Sequence, residues 1–409
     1  MIPQWNTQYV QSDSSLDVPP PYFFPDVTVH GVIFEANMEA VQKYCDDFLN
    51  LGDPEERGFE YRAVPMWPYA QLLFLHYPLM ISASQAQFEI ADSTGKARGK
   101  LGAKRKLGVS LADRGTTTQN EVFVAMPVMR VGLGPKARLI KSELEWILPF
   151  IVVDQPWSCV CGREMLGLGK MMSNIHIGKG YLPGSFLGQV QMAGWREAGK
   201  GKMERSLPFL DVKTGPRLPS FRSQEPFESL ATAFADRPVR WAMEKVGGLA
   251  NLVNQASLGI LPTTMRTVAL KQYRDAVQPS KAVYQALVGC RSKYSEMTDL
   301  QIYDERDIQV TFNDVGSFHE IVDTILGPDP DGKRVKFPKD IPGVKWAGRQ
   351  AKVVGGFRFK SNVDFDQMRV LYEFPIHDDE GNLLRPAFSD LTARWFRPIK
   401  GFFGPRPLS

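Results

Sequence analysis

The chain has 409 residues, 43% of them hydrophobic and 23% charged, with 49 Lys+Arg against 45 Asp+Glu and a formal net charge of +4. That composition excludes a disordered chain or a fibre. The length allows two or three units at about 100–200 residues per domain, or one large β-rich domain with insertions. A charge this nearly balanced gives no basic field to hold nucleic acid, and no nucleic-acid partner is expected.

The densest apolar run, Trp146 to Val153, is far shorter than the ~20 residues that span a bilayer, and Met1 to Asn6 lacks the basic and apolar regions of a leader. Four cysteines (Cys45, Cys159, Cys161, Cys290) without a CxxC supply neither a disulfide scaffold nor a zinc knuckle. A soluble cytoplasmic protein with reduced thiols and no membrane partner is the expectation.

In chain order, Gln11 to Pro21 is polar and proline-rich and predicts an extended lead-in. Asn37 to Leu51 places Met38, Val41, Cys45, Phe48 and Leu49 at helical spacing, with Asn37 as N-cap. Strands are predicted where residues alternate or are rich in β-branched and aromatic types: Gln71 to Leu79, Glu121 to Met129, Leu144 to Val153, Gly188 to Trp195, Ile308 to Asn313, Ala351 to Phe359 and Met368 to Phe374. These strands are not interleaved with regular helices, which disfavours a parallel doubly wound sheet and points to an antiparallel barrel or curved sheet. Residues 206–262 read as a helical insertion expected to cover a pocket mouth or build an oligomer interface. Gly327 to Gly343 reads as a long loop rich in proline and glycine.

The most informative stretch is Gly162-Arg163-Glu164-Met165-Leu166-Gly167-Leu168-Gly169-Lys170-Met171-Met172. A lysine has an ordinary pKa of about 10.4 and is no nucleophile at neutral pH. Burial of a lysine disfavours its charge and can lower its pKa by about 3–5, producing the free amine that carbonyl addition requires. Leu166, Leu168, Met171 and Met172 are candidates for that apolar wall. On local sequence alone, a lysine among glycines ordinarily snorkels into water.

This stretch resembles the active-site signature of the acetoacetate decarboxylase family, in which Gly-Arg-Glu, a short apolar and glycine run, and a lysine carry a Schiff base. Three further stretches are similar to that family in the same chain order: Pro21-Tyr22-Phe23-Phe24, Glu121 to Val128, and Leu270-Lys271-Gln272-Tyr273-Arg274-Asp275 with Pro279 to Val288. The resemblance implies that Lys170 forms an imine with a ketone carbonyl, that Glu121 assists proton transfer, and that Arg163, Glu164, Met171 and Met172 bind substrate. It also implies that no cofactor is needed, because the imine itself withdraws electrons. This chain departs from the family at Met171, where a second lysine is usual, and at Val27-Thr28, where an arginine or charged pair is usual. The methionine removes one depressor of the lysine pKa but still permits desolvation, whereas loss of the arginine weakens recognition of a small carboxylate and suggests a larger or less charged substrate than acetoacetate.

The resemblance further implies a mainly β (α+β) fold, an acetoacetate decarboxylase-like antiparallel β-barrel or curved sheet with a helical insertion. The expected divisions are an N-terminal arm over 1–20, the β domain over 21–205 and 263–395, the insertion over 206–262 and a tail over 396–409. The expected activity is that of a lyase acting on a keto acid or ketone, first a β-keto acid decarboxylase. An aldolase-dehydratase using the same lysine and a non-catalytic small-molecule-binding protein are the alternatives. A homo-oligomer is expected.

Other features carry less. Six cations in residues 96–106, among glycines and without interleaved aromatics, suit a solvated loop or an acyl-carrier docking patch. Cys159-Val160-Cys161 would present both thiols on one face if it lay on a strand, where packing is the ordinary role. The five histidines are scattered without metal-ligand spacing, no GxSxG is present, and Met171 after Lys170 rules out a P-loop. Neither a metal nor a nucleotide is expected.

Overall fold

A computed structural model describes residues 20–65, 67–82, 116–134, 138–180, 182–196, 202–216, 264–329, 335, 348–377 and 383–385. The elements in chain order begin with β1 (Tyr22–Glu35), α1 (Met38–Tyr44), α2 (Pro54–Arg57), β2 (Phe59–Ala63), β3 (Tyr69–Ile81), β4 (Thr116–Gly134) and β5 (Arg138–Val153). There follow α3 (Pro156–Glu164), β6 (Met171–Lys179), β7 (Phe186–Gly194), β8 (Glu204–Lys213), β9 (Thr264–Arg274) and β10 (Ala282–Tyr303). The last are β11 (Gln309–Asn313), α4 (His319–Leu326), β12 (Gly348–Gln350), β13 (Val353–Phe365), β14 (Arg369–Glu373) and the short pair β15 (Ile376–His377) and β16 (Leu383–Arg385).

Seven strands close on themselves in the order β5-β9-β10-β13-β1-β3-β4, with β4 returning to β5 along an antiparallel ladder. The closing step from β9 to β5 is parallel, at Trp146↔Thr267. Closure removes the exposed edges that an open sheet of this size would carry. From β5 the hydrogen bonding also runs outward, through a short parallel pairing of Val152 with Met171, into a second sheet ordered β6-β7-β8-β11-β12. The expected mainly β architecture is what the chain adopts.

Strand alternation assigns side chains to two apolar clusters. Leu73, Leu75 and Tyr77 of β3 and Phe123 and Ala125 of β4 point into the barrel with Val29 and Ile33 of β1. Leu72, Phe74, Val122 and Val124, the intervening residues, point outward and pack against Val190, Phe209 and Phe312 of the second sheet and Val322 and Ile325 of α4. Each fully buried side chain of this size stabilises the fold by about 1.5–3 kcal/mol relative to exposure.

The predicted helix over Asn37 to Leu51 forms in two parts. Asn37 caps α1 by accepting from the Ala40 backbone N–H at 3.0 Å. After Tyr44 the winding loosens to a π turn over Cys45–Leu49, closed by Asn50 N donating to Cys45 O. The wider turn carries Leu49 into the core and leaves Phe48, expected on the apolar stripe, 42% exposed.

The helical reading of 206–262 fails at its start. Glu204–Lys213 is strand β8, and Leu207 to Val212 is buried on both faces between β7 and β11. Such a strand shows a continuous apolar run instead of alternation, which is why its period misleads. Residues 217–263 lie outside the described residues, as do the arm up to residue 19, the basic loop over 96–106, most of the loop over 327–343 and the tail over 396–409.

Candidate active site

Lys170 is the last residue of a connection that folds back beneath α3. The helix starts on Pro156, where a missing N–H is harmless, and ends at Glu164. The chain then reverses through Gly167, at φ +67, a left-handed conformation that a glycine adopts without cost. A Cβ on Gly167 would also stand 2.6 Å from Lys271 Cβ on β9. Lys170 N donates to Leu168 O at 2.7 Å, and the backbone passes directly into β6.

Two side chains of the preceding segment fix the lysine's own carbonyl: Arg163 Nη1 donates to Lys170 O at 3.1 Å, and Cys159 Sγ lies 3.4 Å from it. The lysine stem runs across Gly162, where a Cβ would be 2.4 Å from Lys170 Cδ. The amine thereby enters the barrel interior, and the residue is 6% exposed.

Glu121 reaches the same point from β4 and is equally buried. Lys170 Nζ donates to Glu121 Oε2 at 2.5 Å, and Ser158 Oγ lies 3.4 Å from Nζ. Tyr77 OH faces the other carboxylate oxygen at 3.4 Å. The strand bearing Glu121 is tied to the approach to α3: Asn120 N and Nδ2 donate to the two carboxylate oxygens of Asp154 at 2.8 and 2.7 Å. That clamp holds the carboxylate and the helix carrying Ser158 and Gly162 in one frame.

The pair forms one wall of a cavity of about 60 Å³. Its apolar lining includes Phe24, Phe123, Ile151, Leu166, Leu168 and Met265, while Gln119, Thr267, Ser292 and Tyr294 supply polar groups. Lys170 is the cation among these lining residues. Burial, and then the Glu121 charge, push the Tyr77 and Tyr294 hydroxyls above the ordinary tyrosine range, so both present neutral O–H groups. Burial pushes the nearby Cys290 thiol up to about 12.

Lys170 and Glu121, widely separated in sequence, are brought together. Leu166 and Leu168 wall the cavity as expected, whereas Met171 and Met172 do not. Residues entering a strand alternate, so Met171 turns to the outer apolar cluster and Met172 is 43% exposed. Arg163 and Glu164, expected to bind substrate, line a separate outer cleft with Tyr273 and Lys281. Glu164 O accepts from Tyr273 OH, and Met165 O accepts from Lys271 Nζ at 3.3 Å. Lys271 does not replace the missing second lysine, because it lies outside the cavity lining; burial, opposed by Glu164, lowers its pKa.

Cys159 and Cys161 lie on α3, not on a strand, and only Cys161 faces the cavity. Gln119, Tyr77, Ser158, Thr267, Ser292 and Tyr294 escape the sequence reading. Gln119 was accessible to it, since alternation puts it on the same face of β4 as Glu121. Among the described residues no group of three His, Cys, Asp or Glu side chains is arranged to hold a metal. Also among them, no helix is long and apolar enough to cross a membrane.

No family model matches the chain, and no curated protein matches it. Among solved structures, it is similar to an acetoacetate decarboxylase from Legionella pneumophila at 10% identity, covering 87% of this chain and 89% of that one, with a TM-score of 0.42. It is similar also to the enduracididine biosynthesis enzyme MppR, solved with the condensation product of pyruvate and imidazole 4-carboxaldehyde, at 13% identity over 88% and 92% of the two chains and a TM-score of 0.44. An acetoacetate decarboxylase-like enzyme from Sphingomonas wittichii RW1 is 11% identical over 89% of this chain and 98% of its own, with a TM-score of 0.41.

Proposed function

We propose that the protein is a carbon–carbon lyase that works through an imine on Lys170. The supporting observation is the 2.5 Å contact between Lys170 Nζ and Glu121 Oε2, both buried in the wall of a mostly apolar cavity. Glu121 is placed to take the proton that the amine must lose before it attacks. The amine adds to a ketone carbonyl, and loss of one water leaves a protonated imine. In the decarboxylation of a β-keto acid, the bond to the carboxylate carbon then breaks, its electron pair flows into the imine, and carbon dioxide departs from the resulting enamine. A proton delivered by Glu121 to the enamine carbon and the addition of water release the ketone and restore the amine.

A second reading, an aldol-type cleavage or dehydration on the same imine, is supported by the lining, since among the described residues Lys170 is its one cation and no guanidinium meets a substrate carboxylate. Incubation with a panel of small β-keto acids and β-hydroxy ketones, following carbon dioxide and carbonyl products, separates the two. Turnover of any member that disappears in Lys170→Ala supports the proposal. Turnover that survives in Lys170→Ala refutes it.

A further inference from the structure

The Lys170–Glu121 pair leaves one buried polar group of the cavity unexplained. Gln119 is 4% exposed and lines the cavity, yet among the described residues its Oε1 has no hydrogen-bond partner. Leaving a buried amide oxygen unmet is costly, and folded proteins rarely retain such a group without a use for it. The amide opens on a cavity whose lining is mostly apolar, with Phe24, Phe123 and Met265 among it.

We propose that Gln119 is a substrate-binding and specificity-determining residue, selecting an oxo compound that carries an uncharged hydroxyl a short carbon chain away from the carbonyl held by Lys170. The inference deepens the imine reading and rests on it for where the carbonyl binds.

Three observations define the ligand class. A hydroxyl donates and accepts, so it satisfies the Gln119 amide whichever way its oxygen and nitrogen are turned. A carboxylate is disfavoured at this end, because Glu121 lies two residues along on the same strand face and the lining offers no cation besides the lysine already paired with it. Gln119 and Glu121 stand two residues apart on one strand face, roughly 6–7 Å along it, and Glu121 holds Lys170 Nζ, so the hydroxyl sought is a short carbon chain from the carbonyl.

The test compares 4-hydroxy-2-butanone with 2-pentanone, ketones of equal heavy-atom count, by borohydride trapping on the full chain and on Gln119→Met, which keeps length and removes the amide. The wild-type protein is expected to trap the hydroxy ketone at least tenfold more readily, and Gln119→Met to bring that ratio near one. Because the substitution removes an unmet buried amide, its melting temperature is expected to equal or exceed that of the wild type. An unchanged ratio in the variant, or no preference in the wild type, overturns the proposal. A melting temperature lowered by several degrees also overturns it, since the amide would then be holding structure; Gln119→Leu repeats both readouts with a different apolar shape. Should neither ketone be trapped by the wild type, the imine reading fails by itself. Saturation-transfer NMR on the same ketone pair then reads the preference directly, with loss of hydroxyl preference in Gln119→Met supporting the Gln119 assignment and equal spectra refuting it.

Discussion

Gly162 and Lys170 are packed so closely that a side chain on the glycine and the observed path of the lysine exclude each other: an added Cβ would lie 2.4 Å from Lys170 Cδ and 2.9 Å from its Cε. Gly162→Ala therefore moves the amine while leaving the chemical groups in place. Displacement of about 1 Å at a reacting centre can cost on the order of 100-fold. The rate of reductive trapping on Lys170 is expected to fall at least tenfold in Gly162→Ala, with the circular dichroism spectrum unchanged. A wild-type trapping rate would show that the stem does not follow this path.

The buried Lys170–Glu121 pair makes each partner's stability depend on the other. Removing one partner of a buried pair typically costs about 3–5 kcal/mol, because the remaining charge is left without compensation. Glu121→Leu is expected to lower the urea midpoint markedly, and Glu121→Leu combined with Lys170→Met to recover most of the loss. Additive losses in the double variant would mean that the two side chains act independently.

Burial pushes the Cys45 and Cys290 thiols from 9.0 up to about 12. A group whose pKa is raised on folding lends stability that is whole below its unfolded value and is lost as pH climbs through the folded one. The urea midpoint should accordingly hold to about pH 9 and decline between pH 9 and 12, less steeply in Cys45→Ala. Over the same range iodoacetamide is expected to label Cys159 first, because it is only partly buried. Early labelling of Cys290 would contradict the closed barrel wall around it.

Barrel closure places Gly31 of β1 directly opposite Phe357 of β13, and a Cβ at Gly31 would stand 2.2 Å from the phenyl ring. Gly31→Ala forces that ring to move, and overpacking of this kind costs about 1–3 kcal/mol. Thermal unfolding should shift downward. An unaffected transition would indicate that β1 and β13 are not paired in this register.

Much of the barrel was legible because its strands are rich in β-branched and aromatic residues, as Gln71 to Leu79 and Glu121 to Met129 are, even where both faces are covered. β1 was not read, since Pro25 and Asp26 interrupt its pattern; there the chain bulges, with Asp26 at φ +52 and the pairing to β13 shifted between Phe24 and Val27. β8, also covered on both faces, was misread from its period. The two central site residues were visible only through resemblance to a family motif, for nothing local distinguishes Lys170 from a surface lysine. Gln119 was within reach of strand periodicity. Tyr77, Thr267, Ser292 and Tyr294 were not, because only the pairing of distant strands brings them to one cavity.

The central claim is that Lys170 forms an imine, and the most direct measurement is sodium borohydride reduction in the presence of a small ketone, followed by peptide mass mapping. The account predicts a stable adduct on the Lys170 peptide, suppressed in Glu121→Leu and absent in Lys170→Ala. An adduct on another lysine, or none with any small ketone or keto acid, would contradict it.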